Sequence, residues 1–158
     1  MVNKSYRTVT VLSIGPIDEH QVELAEFLSA SEWALCPDTR WTIESCSSLR
    51  TAVPMLQDGH VSIVLYDKET EPLRWAETVD RVLQMPNAPY LIVTSRLADD
   101  RLWSEALNLG AYDVLGKPFD RAEVIRTLSL AWLRWADRGA PPITAPKRAI
   151  GMPLRAGC

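Results

Sequence analysis

The chain has 158 residues, 47% hydrophobic and 23% charged, with a formal net charge of −3, the balance of an ordinary soluble domain. Its longest apolar runs are strand-sized, and Thr8, Thr10 and Ser13 interrupt the first of them, so neither a membrane span nor a signal segment is expected and the cytoplasm is the predicted compartment. Four basic residues and no acid follow Asp137, so within the total of −3 the last 21 residues carry +4 and the preceding 137 carry −7; an acidic body excludes a nucleic-acid-binding domain, which needs a basic face.

The elements alternate along the chain. "TVTVLSI" (8–14) is a β-branched strand stopped by Gly15-Pro16, and "IDEHQVELAEFLSA" follows with helical spacing. "RWTIESC" is a second strand, and "SSLRTAVPMLQDG" a helix opened by Ser47 or Ser48, closed by Gly59 and kinked at Pro54. "VSIVLYD" is an unbroken apolar run ending in Asp67, as expected of a central parallel strand covered on both faces. "LRWAETVDRVLQM" is helical and "YLIVTS" is a buried strand. "DDRLWSEALNLG" is a helix capped by Asp99 or Asp100 and ended by Gly110. "YDVLGK" is the fifth strand, and "DRAEVIRTLSLAWLRWAD" the last helix, with Asp120 as its N-cap.

Five strands alternating with five helices predict an α/β fold, a five-stranded parallel doubly wound sheet with right-handed crossovers. Residues 1–137 form the expected domain. The basic, Pro-containing tail, 138–158, has little to bury and is expected to be disordered. Chemistry in such sheets lies outside the carboxyl ends of the strands. That edge receives Gly15 and Pro16, Asp67, Ser95 and Lys117. A carboxylate nucleophile, a hydroxyl that bonds a phosphoryl oxygen and a lysine that neutralises it compose a phosphoryl-acceptor site. Pro118 favours an extended backbone at Lys117. Cys36, Cys46 and Cys158 show no C-x-x-C spacing, and His20 and His60 are isolated, so reduced thiols and no zinc site are expected.

With "GAYDVLGKPF" and "IVLYD" at those positions, the chain over about residues 8–137 resembles a response-regulator receiver domain of two-component signalling, a divergent one with a flavodoxin-like fold. The resemblance implies a phosphorelay role with Asp67 as phosphoacceptor from a histidine kinase, and Ser95 and Lys117 as phosphoryl contacts. It also implies a Mg²⁺ held by Asp67 and the backbone carbonyl of Glu69. Ser95 lies the family's usual distance before Lys117, and Thr94 would point to the opposite face of a regular strand.

The departures from that family shape the expectation. The acidic pair that ends its first strand is replaced by Gly15 and Pro16, so Mg²⁺ binding is weakened. Asp18 and Glu19 fall in the first helical turn, as partners of the helix dipole. Restoring Asp at 15 and 16 is expected to strengthen the metal site. The switch aromatic of the fifth strand is replaced by Val114, unless Tyr112 serves from another direction.

Ile125, Leu128, Trp132 and Trp135 form a seam on the last helix that packs on the sheet. Trp103, Trp132 and Trp135 are the candidates for a partner or homodimer surface, resembling the family's signalling face. The tail offers "IGMPL" as an alternative docking peptide for an acidic partner.

The expected function is a stand-alone atypical receiver, not an enzyme, that works by protein contacts with a kinase or other signalling protein, with phosphorylation at Asp67. One alternative is a pseudo-receiver, a phosphorylation-independent interaction module. A small-ligand-binding or enzymatic doubly wound domain is a further one, against which the chain carries no G-x-G-x-x-G, P-loop or G-x-S-x-G motif.

Overall fold

A computed structural model describes residues 6–30 and 36–138. Cys158 and the tail from residue 139 onward, including "IGMPL", lie outside the described residues, so the readings placed on them concern sequence alone.

The strands are β1 (Arg7–Ile14), β2 (Thr39–Cys46), β3 (Val61–Asp67), β4 (Tyr90–Ser95) and β5 (Asp113–Gly116), and the helices are α1 (Glu19–Ala30), α2 (Leu49–Gln57), α3 (Trp75–Leu83), α4 (Asp100–Leu109) and α5 (Arg121–Asp137). All strand pairs are parallel, in the order β2-β1-β3-β4-β5. β3 is central and buried at every position, which is why its sequence shows no polar alternation. No described helix is long and apolar enough to cross a membrane.

The sheet divides the core in two. On one face Leu12, Val64, Tyr66, Leu91 and Val93 pack against α2, α3 and α4 through Ala52, Val79, Val82, Leu102 and Ala106. On the other, Val9, Val11, Ile63, Leu65 and Ile92 pack against α1 and α5 through Leu24, Leu28, Val124, Leu128, Ala131 and Trp132.

Local signals set the helix ends. Ser48, Asp99 and Asp120 each accept a hydrogen bond from the backbone N–H three residues on, N-capping α2, α4 and α5. Gly110 ends α4 at φ 105°, a left-handed position that a side chain would strain. α2 runs through Pro54, which sits on its exposed side, where water can take up the carbonyl that the missing N–H leaves free. α3 starts at Trp75 rather than Leu73. A 3-10 turn (Lys68–Thr70) and residues 71–74 precede it, leaving Leu73 98% exposed.

The predicted seam of α5 does face the core, and this bears on the partner surface. Trp132 is 7% exposed and stacks on the half-buried Trp135, with centroids 5.8 Å apart. Trp132 is thus a core residue and takes no place on an outer surface. Trp103 is 50% exposed, and the outer side of α5 is carried by Leu130 and Leu133.

Candidate functional site

The parallel register fixes what meets at the carboxyl edge. Asp67 is paired with Thr94, and Ser95 with Gly116, one residue before Lys117. Lys117 is held there by its N–H, which donates to the Ser95 carbonyl (2.9 Å). The Lys117–Pro118 peptide is cis.

The Lys117 ammonium donates to Oδ2 of Asp67, and both side chains are nearly withdrawn from water, at 3% and 10% exposed. Oδ1 of Asp67 accepts from the Glu69 N–H at 2.9 Å. Both carboxylate oxygens are therefore engaged, one by a charge and one by the turn that follows β3. Burial of such a pair is tolerated because each charge has its partner.

Ser95 is placed differently from Asp67. Its hydroxyl donates to Oε2 of Glu69 (2.9 Å) and accepts from the Leu97 N–H (3.1 Å), while Oε1 of Glu69 accepts from the Arg96 N–H (2.7 Å). The Glu69 side chain thereby ties the loop after β3 to the loop after β4. Thr94, in register with Asp67, shares its face and lines the same small cavity. The strand alternation that would have turned Thr94 away was counted from Ser95; pairing with Asp67 sets the opposite phase.

Gly15 lies directly on the site. A Cβ built there would sit 2.6 Å from Cβ of Asp67, closer than two carbons can approach. The Gly15 N–H donates to the Cys46 carbonyl (2.9 Å), which fixes the backbone at that approach. Asp18 is turned to its own helix, its Oδ1 accepting from the N–H groups of His20 (3.0 Å) and Gln21 (3.2 Å).

The cavity above Asp67 is lined by Gly15, Pro16, His20, Thr94, Lys117 and Phe119, among others, and has a volume of about 10 Å³, about the least that holds one water molecule. Several of its residues were not marked as site candidates in the sequence, among them the polar His20 and Gln21. His20 stands edge-on to Phe119, 6.3 Å between centroids. Gln21 accepts from Ser13 Oγ and donates to Ser45 Oγ, each at 2.7 Å, bridging β1 and β2. Their signal in the sequence was the Asp18 cap, since a helix that starts beside a strand end projects its first turn over that edge.

Mg²⁺ asks for an octahedron of hard oxygens, with at least one free carboxylate oxygen to anchor it. Asp67 has one oxygen on the Lys117 ammonium and the other on the Glu69 N–H, Gly15 and Pro16 bring no carboxylate, both Glu69 oxygens are taken by Ser95 and Arg96, and Asp18, at the cavity's rim, has its Oδ1 on the N–H groups of its own helix, so a single Asp18 oxygen is too little to build the octahedron. No three His, Cys, Asp or Glu side chains among the described residues could hold a metal together. The donor set does not fit the ion that the family resemblance implied.

Burial pushes the Tyr66 phenol, beside Asp67 in the chain, above its ordinary value. Burial also raises the thiols of Cys36 and Cys46 above their ordinary value. Tyr112 does not replace the switch aromatic at Val114. It lies at the amino edge of the sheet, stacked on Tyr90 with centroids 5.4 Å apart.

No protein-family model and no curated protein sequence matches the chain. Solved structures do. A signal receiver domain of an HD-domain-containing protein from Pseudomonas fluorescens superposes with a TM-score of 0.68 at 20% identity, over 83% of this chain and 99% of that one. The signal receiver domain of a DNA-binding response regulator from Colwellia psychrerythraea gives 0.64 at 20% identity, over 79% and 98%. An atypical orphan response regulator, described with a phosphorylation-independent regulatory mechanism, gives 0.64 at 15% identity, over 80% and 98%. With its strand order, its alternating helices and its Asp67–Lys117 pair at the carboxyl edge, the chain has the fold of a response-regulator receiver domain.

Proposed function

We propose that this chain is a receiver-fold signalling module that works by protein–protein contact and does not take up phosphate on Asp67. The observation that carries this reading is the packing of Gly15 against Asp67. Where a receiver places metal-binding carboxylates, this chain has a backbone pressed onto the acceptor, and a cavity of about 10 Å³ in place of a phosphoryl site. Phosphoryl transfer is mostly positioning and charge neutralisation. Lys117 supplies one positive charge, already spent on Asp67, and no metal site stands beside it.

The Asp67–Lys117 pair then acts as a fixed tie between β3 and the end of β5. The Glu69–Ser95 bond ties the β3 and β4 loops in the same way. Together they hold the carboxyl edge in one arrangement, so a partner meets a constant surface. The orphan regulator among the structural neighbours, described as phosphorylation-independent, gives this reading a precedent within the fold.

The test is intact mass after incubation with acetyl phosphate and Mg²⁺, comparing the wild type with Asp67→Ala. The expected result is no added phosphoryl group on either protein. A gain of one phosphoryl group that disappears in Asp67→Ala would restore the phosphorelay reading.

A further inference from the structure

Between α2 and α3, on the face of the sheet away from α1 and α5, lies a groove of about 190 Å³. Leu49 and Thr78, both buried, form its floor, and Arg50, Arg74 and Arg81 stand exposed around it. Three guanidiniums thus converge from two neighbouring helices, and like charges gathered in this way repel one another.

Acids are plentiful in this protein, since residues 1–137 carry −7, yet they leave these arginines largely unanswered. Arg74 donates through Nη2 and Nε to Oε2 of Glu77, at 3.1 and 3.2 Å, in an exposed pair. Glu71, also on the groove, is engaged by the Thr78 hydroxyl, which donates to its Oε2 at 3.1 Å. Arg50 and Arg81 meet no carboxylate among the described residues. Arg50 moreover stands in the first turn of α2, where the positive end of the helix disfavours a cation, and that turn holds no acid. The groove is short of negative charge on a body that has it in excess.

We propose that this groove is the docking surface for an acidic segment of a partner protein, with one carboxylate between Arg50 and Arg81 and a second on Arg74. Arginine suits the task, because its planar fork holds a carboxylate through two parallel N–H bonds. Arg74 and Arg81 are two helical turns apart, roughly 10 Å along α3, and acids three residues apart in an extended, polyproline-like segment are spaced by roughly 9 Å on one side. An exposed pair such as Arg74–Glu77 is worth little, so an incoming carboxylate can take the place of Glu77. The inference names the kind of partner for the protein contacts proposed above and rests on that reading only for the expectation of a partner. Phosphoryl uptake on Asp67 would overturn that reading and leave this groove untouched, and the outcomes that overturn this one involve neither Asp67 nor its cavity.

The test titrates a blocked hexaglutamate peptide into the isotope-labelled full chain at fixed ionic strength, reading backbone amides and arginine Nε–H groups by NMR. Saturable shifts are expected at Arg50, Thr78 and Arg81, with little change at Arg121 and Arg126 on α5. Arg50→Gln with Arg81→Gln, both exposed and outside the core, is expected to weaken binding at the groove about tenfold or more, the worth of one charge-assisted hydrogen bond. Arg121→Gln with Arg126→Gln, an equal change in net charge, is expected to leave it unchanged. Shifts as large at Arg121 and Arg126 as at the groove, equal losses from the two double variants, or no saturation would overturn the proposal. So would inorganic phosphate saturating the same shifts at a lower concentration than the peptide, since the groove would then be a site for a free oxyanion.

Discussion

Asp67→Ala is expected to lower the unfolding free energy by about 3–5 kcal/mol, the usual cost of leaving one member of a buried ion pair alone. The Lys117 ammonium, 3% exposed, would remain in an apolar setting with no counter-charge. Removing both charges together, as in Asp67→Leu with Lys117→Met, is expected to restore most of the loss, because two apolar side chains of similar volume need no partner. Urea unfolding followed by circular dichroism measures this, as a shift of the midpoint at constant slope. A single substitution that costs less than about 1 kcal/mol, the ordinary worth of an exposed pair, would mean that water reaches the site and that the pair is no structural tie.

The second large effect is at Gly15, where any side chain meets Asp67 at 2.6 Å. Gly15→Ala is expected to cost about 1–3 kcal/mol through overpacking, since neither β3 nor the bonded end of β1 can yield cheaply. Gly15→Asp is expected to cost at least as much and to leave Mg²⁺ affinity unchanged by calorimetry. This reverses what the sequence alone suggests, that acids at 15 and 16 would rebuild a metal site. Pro16 is exposed, so Pro16→Asp is expected to stay within about 0.5 kcal/mol of the wild type. A Gly15→Asp protein with wild-type stability and a new Mg²⁺ site would contradict the packing described here.

The elements that were legible in the sequence are those whose signals are local. "VSIVLYD" and "YLIVTS" are continuous apolar runs, and the strands Val61–Asp67 and Tyr90–Ser95 coincide with them. Asp120 was identified as a cap, and Ser48 and Asp99 as one of two choices each, because N-capping depends on one side chain and the turn that follows it. The start of α3 was less legible, since Leu73 fits a helical period but contacts nothing that would hold it in one. At the site, the sequence marked Asp67 and Lys117, which strand ends announce. It did not mark Gly15 as a close approach, because a missing side chain leaves no trace of what it adjoins. The phase of Thr94 depends on register with β3, a property of two strands and of neither alone. Of the three tryptophans considered for a partner, sequence spacing could not separate Trp132 from Trp103; burial by α1 and the sheet decides it.

The central claim is that the carboxyl edge is closed around Asp67, and beryllofluoride with Mg²⁺, a stable mimic of the aspartyl phosphate, tests it most directly by amide NMR. The account predicts that the resonances of Gly15, Asp67, Thr94 and Lys117 stay where they are at saturating reagent. A second set of peaks for these residues, in slow exchange with the first, would show that the site opens and holds a phosphoryl mimic, contradicting the account.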